Sequence, residues 1–239
     1  KISKNNFMPK NIPFRVTGVA TTKSRGISKG EIISIEEVEK AIRTVVQASQ
    51  KMAGVIIEDV MVSFSGGNLK SNSLIGKTEI ESSVINEKDI GKALGNCRLN
   101  DFILDEEIIH AIPVNFTIDE RSGFIDPIGQ SGKALEVDLH LISVQKRIIQ
   151  NIIQCFKRCK LELSGIVSAS YVSGISSLIE DELQHGAACI DFGCHTTGIT
   201  VFLNRQLVFA SEINLGGEII TKDISAAFQI PLEISERIK

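Results

Sequence analysis

The sequence predicts an α/β protein into which a smaller α+β unit is inserted. Short apolar runs bounded by turn residues alternate with segments whose apolar residues recur every three or four positions, which is α/β order. Between about residues 66 and 142 the texture changes, and polar loops separate extended pieces from one moderate helix. At 239 residues and 43% hydrophobic content the chain can bury a substantial core, as one large domain or two modest ones.

Residues 1–13 are polar and basic with two prolines, and the chain opens on Lys1, so a truncated or flexible start and a fragment overall are expected. Ile35, Val38, Ile42, Val45, Ser49 and Met52 mark an amphipathic helix, with Ser34 and Glu37 spaced as a capping box and Gly54 as its stop. Residues 60–64 read as a buried strand meeting the turn Ser65-Gly66-Gly67. Inside the insertion, residues 87–97 form a helix behind an Asn86 cap, and Leu135, Val137, Leu139 and Leu141 alternate with polar residues as a strand does.

Helical spacing returns at Ile148, Ile149, Ile152, Ile153 and Phe156, and again at Tyr171, Ile175, Leu178 and Ile179 behind Ser168 or Ser170. A three-strand meander follows. Residues 187–190 run into Asp191-Phe192-Gly193, then Thr196-Thr197, alternating Ile199, Val201 and Leu203, a turn at Asn204-Arg205, and a third strand over 207–214. Gly216-Gly217 opens a helix through Ile220, Ile224 and Phe228, and Pro231 begins another. No internal repeat or low-complexity segment stands out.

Composition excludes several functions. The 26 basic and 29 acidic residues mix without runs of one sign, which leaves no nucleic-acid footprint. Trp is absent and Tyr171 is the only tyrosine, so base-stacking platforms are poorly supplied. No stretch approaches the roughly 18 apolar residues of a spanning helix, and no signal peptide is evident, so a cytoplasmic address is expected. Cys97, Cys155, Cys159, Cys189 and Cys194 lack paired C-x-x-C spacing and read as reduced thiols. Residues 129–133 echo a phosphate-binding loop, but Pro127 stands where its first glycine belongs and Ala134 where its Ser/Thr belongs. His110 and His140 have no nucleophile beside them and read as structural.

Chemistry is expected where Asp191 leaves its strand. A rigid carboxylate there can meet Mg²⁺ or its waters, the adjoining turn can aim backbone amides at phosphate oxygens, and Thr196 and Thr197 add hydroxyl donors. Gly216-Gly217 at a helix start lets backbone approach an anion closely, aided by the helix dipole. By residue type alone, D-x-G-x-x-T-T reads either as half of a phosphate clamp or as plain hairpin chemistry.

The segment 191–197, followed by Leu215-Gly216-Gly217-Glu218 and Thr221-Lys222-Asp223, resembles the second phosphate hairpin and glycine pair of the actin, heat-shock-chaperone and MreB ATPase superfamily. Within it the chain resembles the FtsA family. The resemblance is carried by residues 18–30 (GVATTKSRGISKG), Met52-Ala53, 62–66, His110-Ala111-Ile112-Pro113, Phe116-Thr117-Ile118-Asp119 and Asp126-Pro127-Ile128-Gly129, and it covers roughly residues 14–239. The insertion at 66–142 matters most, because that family carries a relocated subdomain there which chaperones and MreB lack.

The resemblance implies an actin-like ATPase (ribonuclease H-like) fold with an inserted small α+β subdomain, incomplete at both ends. Residues 1–65 would begin subdomain 1A, 66–142 form inserted subdomain 1C, 143–185 complete 1A and 186–239 begin subdomain 2A. It implies ATP and Mg as ligands. Asp191 would place the Mg²⁺ shell through water, Gly193, Thr196 and Thr197 would line the phosphates, Gly216 and Gly217 would lie near phosphate and ribose, and Glu236 and Lys239 would face ribose and adenine. By residue type alone, Glu236 and Lys239 read as a solvated helix pair.

The implied function is a cell-division scaffold, with ATP chiefly a structural ligand and hydrolysis slow at most. It would link FtsZ filaments to the membrane, recruit later divisome proteins through the inserted subdomain, self-associate into actin-like filaments, and work at the cytoplasmic face of the inner membrane. Membrane contact would need a C-terminal helix beyond Lys239. The superfamily also contains turnover ATPases, kinases and a pilus-assembly relative of FtsA; the 18–30 and 110–113 segments favour division.

Two departures qualify the site. Relatives carry glycines where Cys194 and His195 stand, and a left-handed backbone there would cost roughly 1 to 2 kcal/mol each. His195 either donates to a phosphate oxygen or sits exposed in the turn. The first phosphate hairpin of the superfamily would precede residue 1, so weak ATP binding is expected of residues 1–239; nanomolar binding in calorimetry would refute it.

Overall fold

A computed structural model describes residues 15–66, 69–97 and 105–239. Residues 1–13 and Gly67, which carried parts of the reading above, lie outside the described residues. The first elements are a two-residue hairpin, β1 (Ile27–Ser28) and β2 (Glu31–Ile32), turned through Lys29 and Gly30, both in the left-handed region. Helix α1 (Ile35–Ala53) starts where the Ser34 side chain accepts from the Glu37 amide, and it stops at Gly54, whose φ of 71° needs no Cβ. The full capping box expected at Ser34 is replaced by a different pairing, because the Glu37 carboxylate turns to Lys40 at 3.3 Å.

Strand β3 (Asp59–Phe64) pairs in parallel with β8 (Glu162–Ser168), so everything between them is one long crossover. Most of it is an antiparallel four-stranded sheet in the order β4-β7-β5-β6, formed by β4 (Lys70–Glu79), β5 (Glu106–Ile118), β6 (Arg121–Phe124) and β7 (Ala134–Gln145). Helix α2 (Glu87–Gly95) covers one face. Asn86 and Asp89 make its reciprocal capping box, and Gly76 lets it close on β4, since a Cβ there would stand 2.0 Å from the Ala93 carbonyl oxygen. The polar texture of this region therefore belongs to a sheet exposed on one side.

Strand β7 changes character along its length. Leu135, Val137 and Leu139 alternate with partly exposed polar residues and pack beneath α2, but His140 through Val144 are buried without a break. From there both faces of β7 meet protein, which is why the alternation visible in the sequence stops at Leu141. The strand passes straight into α3 (Lys146–Arg158), whose Ile148, Ile149 and Ile152 pack on Phe64 and Val144.

After β8 come α4 (Ala169–Ser177), capped by Ser168, and α5 (Glu180–His185). The expected meander follows as β9 (Ala187–Phe192), β10 (Thr197–Leu203) and β11 (Gln206–Ile213), in the order β11-β10-β9. Asn204 and Arg205 turn β10 into β11 with φ of 51° and 64°, the two left-handed residues a tight hairpin requires. Helices α6 (Gly217–Phe228) and α7 (Leu232–Ile238) end the described chain. Phe202, Leu207 and Ala210 of the meander share one core cluster with Ile112 and Ile142 of the inserted sheet, so the two units are packed together. Among the described residues, no helix is long and apolar enough to cross a membrane.

Ile142 is fully buried in that shared cluster, whereas Ile75 on β4 is 58% exposed. Ile142→Ala is expected to cost about 2 to 5 kcal/mol in urea unfolding, and Ile75→Ala well under 1 kcal/mol.

Candidate functional site

The register of the meander sets the site. Asp191 on β9 lies opposite Gly198 on β10, and Gly198 lies opposite Glu212 on β11, so two carboxyl groups flank a glycine across three strands. Gly198 is required there by helix α4: a Cβ would fall 2.5 Å from the Ser170 Cβ. The same helix donates from the Ser173 hydroxyl to Asp191 Oδ2 at 2.7 Å, which fixes the Asp191 carboxylate as it emerges from the sheet.

Beyond Asp191 the chain turns back on itself. The Gly193 amide donates to the Thr196 carbonyl at 2.9 Å and closes a turn with Cys194 and His195 at its tip. That turn rests on the start of α6, since the Gly217 amide donates to the Gly193 carbonyl at 3.0 Å and the Glu218 amide to the Cys194 carbonyl at 2.9 Å. Thr197 Oγ1 donates to the Leu215 carbonyl at 2.7 Å. Gly216 sits in the seam; a Cβ on it would lie 2.6 Å from both the Gly193 and the Cys194 carbonyl oxygens. The hairpin and the glycine pair thus face one another in contact.

Glu236 and Lys239 complete the group from α7. Lys239 Nζ donates to Thr221 Oγ1 at 3.0 Å, to the Gly217 carbonyl at 3.3 Å and to the Glu236 carboxylate at 2.9 Å, and Thr221 Oγ1 donates to the same carboxylate at 2.5 Å. Lys239 and Thr221 hold the Glu236 carboxyl below the usual range. These are therefore more than a solvated helix pair. All eight residues singled out from the sequence (Asp191, Gly193, Thr196, Thr197, Gly216, Gly217, Glu236 and Lys239) fall in one connected region.

Two expectations are corrected by the geometry. The start of α6 was expected to offer backbone amides to an anion, but the Gly217 and Glu218 amides are already used by hairpin carbonyls. Strain was expected at Cys194 and His195, yet neither is in the left-handed region, so non-glycine residues fit without that cost. His195 lies at the surface with Nε2 3.6 Å from the Glu218 carboxylate. His110 and His140 sit in structural hydrogen bonds: His110 Nε2 accepts from the Ser168 amide at 2.9 Å, and His140 Nε2 pairs with the Ser71 hydroxyl at 2.7 Å.

Glu212 was not visible as a site residue. It is only 8% exposed and accepts from the Gly66 amide at 2.6 Å. Burial pushes its carboxyl up to about 7; the Gly66 amide and Ser170 hydroxyl pull it down, and the charge of Asp191 adds to the rise. A register shift between Val201 and Phe202 breaks the simple alternation between β10 and β11, so counting along the strand does not show that residue 212 points inward. Near it, Asn214 Oδ1 is, among the described residues, the buried side-chain polar atom left without a partner.

The α/β frame has the actin-like ATPase fold, and it carries an inserted unit in its long crossover. A solved structure of the PilM-PilN type IV pilus biogenesis complex shares that fold, with a TM-score of 0.58 at 13% identity over 91% of this chain and 60% of that one. Two family models match, one described as "SHS2 domain inserted in FTSA" over residues 66–143 and one as "Cell division protein FtsA" over residues 188–239. Similar proteins include the cell division protein FtsA of Rhizobium meliloti, 33% identical over 94% of this chain and 51% of its own length, and that of Pseudomonas aeruginosa, 31% identical over 94% and 54%. That of Escherichia coli K12 is 28% identical over 94% and 53%. The chain belongs to the FtsA family, and it spans about half the length of these curated relatives.

Two outcomes test the geometry. Gly216→Ala is expected to part the hairpin from α6, read as at least tenfold faster hydrogen exchange at the Gly217 and Glu218 amides; unchanged exchange would show that the seam has slack. Glu212 and His110 contribute opposite slopes to the pH dependence of stability. The folded state keeps a proton on Glu212 up to about pH 7 where the unfolded chain loses it near 4.5, so stability falls as pH rises through that window, by about 3 kcal/mol. His110, held down to about 4 by burial, acts oppositely: its contribution is full above 6.5 and is lost as pH falls toward 4. Urea unfolding of the wild type and Glu212→Gln across pH 4 to 8 separates the two, because only the Glu212 slope should vanish in the variant.

Proposed function

We propose that the chain is the nucleotide-facing and partner-facing part of an actin-like cell-division scaffold, with residues 191–239 contributing to an ATP and Mg²⁺ site. The observation that supports this best is the contact of the 193–196 turn with the 215–218 turn, which builds one jaw around the end of β9. The residues suit the group: Asp191 is a fixed carboxylate, and Asn214 Oδ1 is a buried acceptor awaiting a donor. Asp191 would hold the hydrated Mg²⁺. Gly193, Thr196 and Thr197 would line the phosphates, Gly216 and Gly217 would approach phosphate and ribose, and Glu236 and Lys239 would border ribose and adenine.

Bound ATP supplies negative charge and a bridge between the halves of a cleft, so its main effect is on a conformational equilibrium rather than on rapid chemistry. Residues 1–65 and 143–185 would form subdomain 1A, 66–142 the inserted subdomain 1C and 186–239 the start of subdomain 2A. The scaffold would bind FtsZ, recruit other divisome proteins through 1C, self-associate into filaments and act at the cytoplasmic face of the inner membrane.

Calorimetry with the intact gene product tests the site. Asp191→Ala is expected to weaken Mg-ATP binding at least tenfold while leaving metal-free ATP binding within about twofold, since the carboxylate that would hold the hydrated Mg²⁺ is removed. Equal Mg-ATP affinity in both proteins would sink the assignment, and failure of the wild type to co-sediment with FtsZ filaments would sink the scaffold.

A further inference from the structure

At the entry to the inserted unit, Gly66, Leu69 and Ser71 lie against the outer edge of β11. Two hydrogen bonds cross between them in opposite directions. The Gly66 amide donates to Glu212 Oε2 at 2.6 Å, and the Ala210 amide of β11 donates to Ser71 Oγ at 3.3 Å. Ser71 Oγ is itself held by His140 Nε2 on β7 at 2.7 Å. Leu69 joins Ala210, Leu207, Phe202, Ile112 and Ile142 in one buried cluster beneath these bonds.

The entry segment has little room to slide. A Cβ on Gly30 would stand 2.0 Å from the Gly66 Cα, and a Cβ on Gly66 would stand 2.4 Å from the Phe64 ring. At the other end, residues 213–215 carry β11 directly from Glu212 into Gly216, which is wedged against the hairpin carbonyls. From Phe209 to Ile213, β11 is paired to β10 without a break and is stiff along its axis, so a shift of Gly216 pulls on Glu212 and Ala210. Close-packed interfaces of this kind change between discrete arrangements rather than stretching.

We propose that Glu212 and Ser71 form a two-point clasp through which displacement at residues 193–217 is transmitted along β11 to the root of the inserted unit, and the reverse. The clasp stands on the geometry above; it rests on the nucleotide reading only for the ligand that moves the hairpin. By linkage, a partner bound to the inserted unit then changes Mg-ATP affinity by the same factor that Mg-ATP changes the partner's.

Hydrogen-exchange mass spectrometry on the intact gene product tests this, using Glu212→Leu, Ser71→Ala, their combination, and Glu212→Gln, which keeps an acceptor for Gly66. Without ligand, exchange over residues 69–79 is expected to quicken at least tenfold in the combined variant and to stay near wild type in Glu212→Gln; an unchanged combined variant overturns the clasp. With Mg-ATP, the wild type should slow over both 193–217 and 69–79, and the combined variant over 193–217 alone. Slowing at 69–79 that survives in the combined variant also overturns it. Should Mg-ATP leave 193–217 of the wild type unchanged, the nucleotide reading fails, and the ligand-free comparison still decides the clasp. If Glu212→Leu does not fold, Ser71→Ala carries both readouts.

Discussion

The contact on which the rest of the site depends is made by backbone alone. Two successive carbonyls of one turn receive the first two amides of a helix, and the residue between the partners has no side chain because there is no space for one. A helix start leaves its first amides without internal partners, and burial would make that costly. Here the neighbouring hairpin supplies the missing acceptors. That single exchange fixes the distance between β9 and α6, and with it the positions of Asp191, Thr197 and, through Gly217 and Thr221, the α7 pair Glu236 and Lys239.

Long strands tie this site to the rest of the molecule. One end of β7 belongs to a one-sided sheet under α2, while the other is buried on both faces between α3 and the meander. The inserted unit is therefore not joined by a free linker, because its strands run into the shared core. Several polar groups at that junction are paired: Glu212 to Gly66, Ser71 to Ala210 and His140, His110 to Ser168. An unpaired polar atom there would cost the full price of its desolvation, so these residues resist separate substitution.

Much of this was legible beforehand where local chemistry decides the outcome. Ser34 and Gly54 bounded α1, Asn86 capped α2, Asn204-Arg205 turned β10 into β11, and Gly216-Gly217 opened α6, each through short-range steric or hydrogen-bond preferences. The candidate site was legible as a set of residues because motif spacing survives in one dimension. Glu212 was not, since a β-bulge changed which residues point inward and since its partner Gly66 is far away in the chain. The inserted sheet was legible only as a change of texture: β4 is mostly polar on its open face, and β5 carries Pro113 within a strand, both of which weaken a local strand signal.

The sequence by itself determined α1, α2, α3, α6 and the meander, with their caps and turns, and the kinship with the FtsA family, because these follow from neighbours along the chain. Tertiary structure decided that the Gly217 and Glu218 amides face carbonyls instead of solvent, that Cys194 and His195 are unstrained, and that a carboxyl on β11 holds the amide of Gly66. The physical reason is the same in each case: hydrogen-bond partners and permitted backbone angles at a junction are set by what packs against it, and that information is not local.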